Sequence, residues 1–271
     1  MDHRRSVEDD RQRLEFSFDY CFLGDDGAAR MTVLVGRERV TGMTMASAVP
    51  VKGTSGQFAA LKVLDFLKQC GAEETTIILK TDQEPAIEAL VKDIVAARGQ
   101  ALTIVEKSPV GSSGSNGVVE RAVQGIEGQM RTMKSALEDR LRTKLKPDDR
   151  VLMFLAEYAA HLVNRLEVGK DGKTAYERSR GKRATVIAVE FGERLLWRVR
   201  RVGKQEKMNA RWDYGVFVGI RPESGEVLVA VKEGIQAVRS VRRLPAEERW
   251  GPGNKDMVRH VPVRRPLTRS S

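Results

Sequence analysis

The order of strand and helix patterns constrains the fold of this chain most. Apolar side chains alternate over residues 14–22, and two more strand patterns, Met31–Val35 and Thr41–Val49, follow a turn at residues 24–27. A predicted helix, strand, helix and strand come next, at Gln57–Cys70, Thr75–Asp82, Pro85–Arg98 and Ala101–Val105. A flexible Gly/Ser loop at residues 111–117 and two further helices complete this part. A meander followed by alternating helices and strands predicts an α/β fold with a mixed five-stranded sheet and flanking helices.

The last third of the chain differs in pattern and in charge. Its short strand patterns predict a small β-barrel-like domain, at Arg194–Val202, Gly215–Ile220, Glu226–Val231 and Ile235–Val241. Residues 1–180 contain 27 Lys and Arg and 27 Asp and Glu, whereas residues 181–271 contain 20 and 10. The net charge of +10 therefore comes from the last third, which suggests a polyanionic partner such as nucleic acid or an acidic membrane surface. The alternative is a solubilising surface with a basic tail.

Composition excludes several classes of protein. No apolar run reaches the roughly 18 residues of a membrane helix, and the N-terminus has no apolar signal core. Cys21 and Cys70 alone cannot form a disulfide framework or a four-ligand zinc site, and we expect an intracellular, reducing compartment. We predict five segments: a flexible N-terminal segment (1–13), an α/β core (14–168), a connector (169–184), a basic β-rich domain (185–245) and a disordered tail (246–271).

Three carboxylates stand out by their context. Asp19 interrupts the first strand, Asp82 ends a buried strand, and Glu120 is expected in the first turn of the long helix, just after the Gly/Ser loop. Each also has a purely structural interpretation. Asp19 suits an edge strand, Asp82 suits the N-cap of the helix that starts at Pro85, and Glu120 suits the positive end of its helix dipole.

Considered together, the three carboxylates suggest a shared cation site. The first strand and the strand at Ile77–Leu79 can be parallel neighbours, which would place Asp19 beside Asp82, and the helix carrying Glu120 can pack across that sheet. Converging carboxylates repel one another unless hard cations neutralise them, and oxygen-only ligands favour Mg²⁺ or Mn²⁺. Two such ions can support phosphodiester chemistry.

Several short runs surround the three carboxylates: Ser108-Pro109 followed by Asn116-Gly-Val-Val-Glu-Arg121, Lys80-Thr-Asp82 and Phe18-Asp-Tyr20. In these runs the chain resembles retroelement integrases, most of all those of copia-type long-terminal-repeat retrotransposons. Ala175-Tyr-Glu177 and the segment from Arg211 to Gly219 extend it beyond the core. The resemblance covers residues 14–245, and 37 residues separate Asp82 from Glu120, close to the usual family spacing.

The resemblance implies a ribonuclease H-like fold and a metal-dependent DNA integrase or endonuclease. Asp19, Asp82 and Glu120 would bind two Mg²⁺ or Mn²⁺ ions for 3′-end processing and strand transfer of retroelement DNA into target DNA. The partners would be the retroelement ends, target DNA and further copies of the chain, with no membrane and no small-molecule substrate. The protein would act in the nucleus or in a retroelement particle.

Two features depart from the family. Its zinc-binding His/His/Cys/Cys module has no counterpart here, since the histidines stand at positions 3, 161 and 260. We therefore expect either a fragment of a longer polyprotein or a chain that has lost this module. The glycine that usually follows the second aspartate is replaced by Gln83-Glu-Pro85, which puts the local loop in question.

Basic and polar residues near these motifs are candidates for DNA binding. Asn116 and Gly117 would shape the loop that admits DNA, and one side of the long helix could follow phosphates through Arg121, Gln124, Arg131 and Lys134. In the last third, cations flank Trp197 and Trp212, at Arg198, Arg200, Arg201, Lys204 and Lys207. A solvated helix face and a barrel with a core tryptophan are the structural interpretations.

Three alternatives to an active integrase remain open from the sequence. The first is a catalytically inactive, integrase-derived DNA-binding protein. The second is an interaction module without a nucleic-acid role. The third is a plain ribonuclease H. Divalent-metal-supported nicking, salt-sensitive DNA binding and cleavage of an RNA–DNA hybrid would distinguish them.

Overall fold

A five-stranded mixed sheet forms the first half of the fold. The computed structural model describes residues 13–24, 31–49, 57–82, 84–98, 103–107, 113–199 and 210–262, without the side chains of residues 113–116. The strand order is β3-β2-β1-β4-β5, with bounds β1 Leu14–Leu23, β2 Met31–Glu38, β3 Thr44–Val49, β4 Ile77–Thr81 and β5 Thr103–Lys107. Strand β2 pairs antiparallel with β3, whereas β1 pairs parallel with β4 and β4 with β5. This topology confirms the predicted ribonuclease H-like sheet.

Apolar side chains of β1 form the centre of the first core. Phe16 and Phe18 are buried there, and the Phe16 ring meets the edge of Phe66 from the first helix at 5.8 Å. Gly36 of β2 lies so close to the Phe18 ring that any Cβ at this position would overlap the ring edge, so a larger residue would displace that ring. The alternation seen in the sequence therefore identifies the face of β1 that packs against α1, although Ser17 and Cys21 on the other face are buried as well and Phe22 is 44% exposed.

In the described ranges, five α-helices accompany the sheets: α1 Phe58–Gln69, α2 Pro85–Arg98, α3 Ser113–Leu141, α4 Val151–Leu166 and α5 Ala175–Arg180. The expected flexible loop at residues 111–117 is wrong in part, because α3 already begins at Ser113. Glycine and serine disfavour helix by only about 1 kcal/mol or less each, and every added residue contributes one more helical hydrogen bond. None of the described helices is long and apolar enough to cross a membrane.

The predicted connector contains an ordered helix. Thr174 and Glu177 form a reciprocal capping box at the start of α5, and Ala175 belongs to the first core. Arg178 donates hydrogen bonds to Asp171 and to the Thr41 carbonyl oxygen, and its guanidinium holds the pKa of Asp171 well below the ordinary value. The segment is thus fixed by capping and by charge.

A second, antiparallel sheet follows in the order β10-β6-β7-β8-β9. Its strands are β6 Arg194–Arg198, β7 Trp212–Ile220, β8 Val227–Val231, β9 Gly234–Val238 and β10 Val241–Arg243. The single strand expected at Ile235–Val241 is wrong in that it forms two strands, β9 and β10. Tyr158 of α4 packs edge-on against Phe217 at 5.2 Å and stacks on Phe191 at 5.6 Å.

The disorder expected from residue 246 onward is wrong for residues 246–262, which the structure describes. Short 3₁₀ helices occupy Ala246–Glu248 and Pro252–Met257. The buried Asn254 side chain donates hydrogen bonds to the carbonyl oxygens of Gly192 and Arg249, which fixes this stretch. Asn254 therefore contributes to the order of a stretch low in apolar residues, together with the buried Val258 and the ion pair of Lys255 with Asp149. Residues 1–12 and 263–271 lie outside the described residues.

Residue contacts divide the chain into two compact units. The first contains Met1–Phe22, Thr32–Ile126 and Leu162–Ala184, and the second contains Leu23–Met31, Glu127–His161 and Thr185–Ser271. The first sheet, except for Leu23 and Met31, belongs to the first unit with α1, α2 and α5, and the antiparallel sheet belongs to the second. The two units do not follow sequence order, because α3 and α4 each contribute residues to both.

Candidate functional site

Asp19 and Asp82 lie at the same place along two neighbouring strands. The parallel register of β1 and β4 pairs Ser17 with Lys80, and both aspartates stand two residues further on. Each is half-buried. The expected parallel pairing of these two strands is confirmed, and the strand register explains why residues so far apart in sequence meet.

Glu84 joins the two aspartates. One carboxylate oxygen each from Asp19, Asp82 and Glu84 lies within 4.8 Å of the other two. Two backbone amides orient the group: the Tyr20 N–H donates to Asp19 Oδ1 at 2.7 Å, and the Glu84 N–H donates to Asp82 Oδ1 at 3.2 Å. We call these three residues the acidic cluster.

The start of α2 positions Glu84. Pro85 is the first residue of the helix, where its fixed φ is favourable, and the Glu84 carbonyl oxygen accepts the Glu88 N–H at 3.0 Å. Glu84 therefore occupies the position just before the helix, and the interpretation of Asp82 as the helix N-cap is wrong. Asp82 instead accepts the amide hydrogen two residues ahead of it, which stabilises the turn between β4 and α2.

The donor set of the acidic cluster fits a hard divalent cation. Its side chains offer only carboxylate oxygens, which suit Mg²⁺ and Mn²⁺ better than the softer metals that prefer nitrogen or sulfur. Three carboxylates within 4.8 Å repel one another, so a cation among them lowers their free energy. All three residues are half-buried.

Glu120 does not belong to the acidic cluster. It is exposed and is the eighth residue of α3, so its expected place in the first helical turn is wrong. The helix dipole acts mainly within the first turn, so it does not explain the presence of a glutamate two turns into the helix. Its role as a metal ligand stays a prediction.

The predicted DNA-binding residues of α3 differ in their surroundings. Arg121, Gln124 and Arg131 are exposed, and Arg121 Nε donates to the Gly117 carbonyl oxygen at 3.1 Å. Lys134 is half-buried and pairs with Glu138 at 2.6 Å. Asn116 lies in the helix, and its side chain is outside the description. Three side chains of this set are thus presented to solvent.

The predicted basic and aromatic residues of the last third also differ in how exposed they are. Arg198 is exposed, and Trp212 is half-buried, whereas Trp197 is only 9% exposed and belongs to the core. The other predicted cations lie outside the described residues: Arg200, Arg201, Lys204 and Lys207. Trp197 and Trp212 therefore do not contribute to one surface.

Sequence reasoning missed Glu84. Its position two residues after Asp82, at the carboxyl end of a parallel strand, was a usable signal, because such strand ends collect functional groups. Gln83-Glu-Pro85 was interpreted as a departure from the family pattern, so Glu84 was not identified as a candidate metal ligand.

Comparisons with solved structures return integrases at low similarity. A simian T-cell lymphotropic virus intasome in complex with PP2A regulatory subunit B56 gamma matches with 15% identity over 86% of this chain and 78% of the other, at a TM-score of 0.48. The HTLV-2 integrase catalytic core domain in complex with magnesium matches with 14% identity over 61% and 95%, at 0.44. The catalytic core domain of BIV integrase matches with 18% identity over 61% and 92%, at 0.41. These values carry no argument about the activity of this chain.

Neither a protein-family model nor a curated protein sequence matches the chain. The ribonuclease H-like assignment therefore rests on the strand order and on the parallel pairing of β1, β4 and β5 in this chain.

Proposed function

We propose that this chain is an integrase-like polynucleotidyl transferase that processes 3′ ends and transfers strands of retroelement DNA, as the resemblance to copia-type elements implies. The acidic cluster carries this proposal. Asp19 and Asp82 come together on the neighbouring strands β1 and β4 of a ribonuclease H-like sheet, beside the carboxyl end of β4. The Asn-Gly-x-x-Glu-Arg run of the resemblance lies in α3.

The chain's own residues would hold cation and substrate. Asp19 and Asp82 would bind Mg²⁺ or Mn²⁺, kept in place by the amides of Tyr20 and Glu84. When bound, two divalent ions supply charge neutralisation and an activated oxygen nucleophile for phosphodiester transfer. The exposed side chains of Arg121 and Arg131 would bind phosphates, which positions the DNA without reading its sequence.

Two glutamates compete for the role of third ligand. Glu120 is favoured by the resemblance and Glu84 by distance, since only Glu84 has an oxygen within 4.8 Å of both aspartates among the described residues. We include both in the proposed site. Assembly of several copies, action in the nucleus or in a retroelement particle, and the predicted domain boundaries belong to the same proposal.

The test is Mn²⁺-dependent nicking and strand transfer on a short labelled duplex. We compare the parent chain with Asp82→Asn, Glu84→Gln and Glu120→Gln, and use Glu88→Gln as the control, because Glu88 lies in α2 and pairs with Lys107. The proposal expects Asp82→Asn to abolish activity with DNA binding intact, at least one of the Glu84 and Glu120 variants to do the same, and Glu88→Gln to be unaffected. Activity that survives Asp82→Asn would contradict it.

A catalytically inactive, integrase-derived DNA-binding protein is the second candidate. The exposed position of Glu120, outside the acidic cluster, favours it. Salt-sensitive DNA binding by the parent chain, without nicking in either Mg²⁺ or Mn²⁺, would establish this candidate instead.

A further inference from the structure

A lysine lies on the strand that leads into the acidic cluster. Lys80 stands two residues before Asp82 on β4 and pairs with Ser17 of β1. Alternate residues of a strand share one face of the sheet, and residues paired across strands share it as well. Lys80 therefore lies on the same face as Asp82, and on the same face as Asp19, which stands two residues after Ser17. Its ammonium is a cation of the chain itself beside the proposed cation site.

Two carboxylates of β1 flank Lys80 in opposite directions along the sheet. The register places Glu15 two residues before Ser17 and Asp19 two residues after it, so each is a diagonal neighbour of Lys80. Long side chains can span such a diagonal. Lys80 spans the one to Glu15, because its Nζ lies 3.2 Å from Glu15 Oε1. The opposite diagonal leads to Asp19 and the acidic cluster.

Contacts with Arg39 fix Glu15 in place. Glu15 Oε2 accepts a hydrogen bond from an Arg39 Nη nitrogen at 2.8 Å, and the Glu15 carbonyl oxygen accepts the Arg39 N–H at 2.9 Å. The side chains of Glu15 and Lys80 are 13% and 25% exposed, so water screens this pair less than it screens a surface ion pair. Glu15 therefore holds the ammonium on the side of Lys80 that faces away from the acidic cluster.

We propose that Glu15 is a positioning residue that keeps the Lys80 ammonium out of the acidic cluster, so that a divalent cation can bind there. Three gathered carboxylates attract any nearby cation. Without Glu15, the flexible four-carbon chain of Lys80 turns toward Asp19 and Asp82, and its ammonium competes with Mg²⁺ or Mn²⁺ for their oxygens. The inference rests on the proposed function, because it assumes that the acidic cluster binds the divalent cation.

Binding of Mn²⁺ to the full chain tests this inference without any measurement of nicking. Electron paramagnetic resonance reports the concentration of the free ion. Glu15→Gln should raise the Mn²⁺ dissociation constant about 10-fold, as changes beside metal ligands do. Lys80→Met should bind Mn²⁺ at least as tightly as the parent, because it removes a positive charge beside the site.

The double variant separates competition by Lys80 from other effects of Glu15. Glu15→Gln combined with Lys80→Met should bind Mn²⁺ within about twofold of Lys80→Met alone, since no ammonium remains to compete. A structural role of Glu15, or a long-range effect of its charge, would weaken Mn²⁺ binding in both backgrounds. Restoration by the second substitution is therefore the result that the inference requires.

Glu106 provides the matched control. It pairs with Lys80 between β4 and β5 and so lies on the same face, but it is exposed and forms no ion pair with Lys80 in the part of the chain that the structure describes. Glu106→Gln removes one negative charge beside Lys80 and should leave the dissociation constant within about twofold. Asp82→Asn should weaken Mn²⁺ binding at least about 10-fold, which assigns the measured ion to the acidic cluster.

The inference is overturned if Glu15→Gln binds Mn²⁺ like the parent, if Glu106→Gln loses as much affinity, or if the loss persists in the double variant. Those results leave the proposed function intact as long as Asp82→Asn weakens Mn²⁺ binding. An Asp82→Asn variant that binds Mn²⁺ like the parent would remove both proposals.

A second substitution covers the case in which Glu15→Gln does not fold, as judged by circular dichroism. Glu15→Asp keeps the charge but is one methylene shorter, which retracts the carboxylate from Lys80. It should cause a smaller loss of Mn²⁺ affinity that Lys80→Met again cancels. No loss, or a loss that Lys80→Met does not cancel, would overturn the inference.

Discussion

Carboxylates in the two units have neighbours of opposite charge: other acids in the first unit and arginines in the second. Beside the carboxyl end of β4, oxygens of Asp19, Asp82 and Glu84 lie within 4.8 Å of one another. In the second, Glu193 is fully buried, and Arg243 binds its two oxygens through Nε and an Nη nitrogen, each at 2.7 Å. A carboxylate that already has a bidentate arginine stabilises the fold, whereas carboxylates gathered together are costly until a cation joins them. The neighbours of an acid, rather than its burial, therefore distinguish the two roles.

The largest expected effect tests the functional half of this comparison. Asp19→Asn should lower Mn²⁺-dependent nicking by at least about 100-fold, because changes beside metal ligands already cost 10- to 100-fold and this one removes a ligand charge. The asparagine oxygen can still accept the Tyr20 N–H, so the strand keeps its geometry. Nicking of a labelled duplex at fixed Mn²⁺ measures the change. A variant as active as the parent would remove Asp19 from the proposed site.

Glu193→Gln tests the structural half. The change leaves Arg243 and Arg249 near a neutral amide inside the second unit, so the free energy of unfolding should fall by about 2 kcal/mol. Urea denaturation followed by tryptophan fluorescence gives the value. Glu190→Gln is the matched control, since Glu190 is half-exposed and pairs with Arg140, and it should cost less than about 0.5 kcal/mol. Equal effects would mean that burial of Glu193 contributes nothing.

Glu138 extends the comparison to pH. Burial alone would raise the pKa of this carboxyl, but hydrogen bonds from Lys134, Lys144 and the Leu145 N–H outweigh burial and hold the pKa at about 2. Its stabilisation is therefore complete above the ordinary value of 4.5 and disappears as the pH falls toward 2.

Glu138→Gln should accordingly lower the free energy of unfolding by about 1.5 kcal/mol at pH 7. The gap to the parent should close between pH 4.5 and pH 2. Urea titrations at several pH values measure this difference. A gap that stays constant over this range would show that the charge of Glu138 is not what stabilises the helix end.

The smallest expected effect has the opposite sign. In EDTA, Asp82→Asn should raise the free energy of unfolding by up to about 1 kcal/mol, because it removes repulsion among half-buried acids. The asparagine can still accept the Glu84 N–H. Added Mg²⁺ should stabilise the parent and stabilise the variant much less. Thermal unfolding with and without Mg²⁺ measures both changes, and a destabilised variant in EDTA would contradict the idea that the cluster is strained without a cation.

Local patterns predicted the elements better than their ends. The alternation of Leu14–Phe22 and the proline at the start of α2 are signals within a few residues, and both elements were found at the expected places. The start of α3 at Ser113 was missed because a long helix can extend through glycine and serine at modest cost. The hydrogen bonds of Asn254 and the ion pair of Lys255 with Asp149 hold a stretch of low apolar content, and no local pattern predicts these contacts.

The candidate site was predictable only in part. Asp19 and Asp82 could be found because each aspartate contrasts with its own strand and parallel neighbours share an edge. The position of Glu84 after a strand end was a usable signal, but only its distance to Asp19, a residue 65 positions earlier, distinguishes it from an ordinary acid before a helix. Trp197 and Trp212 looked equivalent in sequence, but the strand pleat places them on opposite faces.

The sequence by itself determined the order of the elements, the apolar face of β1 and the excess of positive charge in the last third, because periodicity and charge are properties of neighbouring residues. Only the tertiary structure decided which carboxylates meet, which arginine is neutralised and which tryptophan faces solvent. Strand register and strand order bring together side chains from distant segments, and the energies that select one register are summed over the whole sheet.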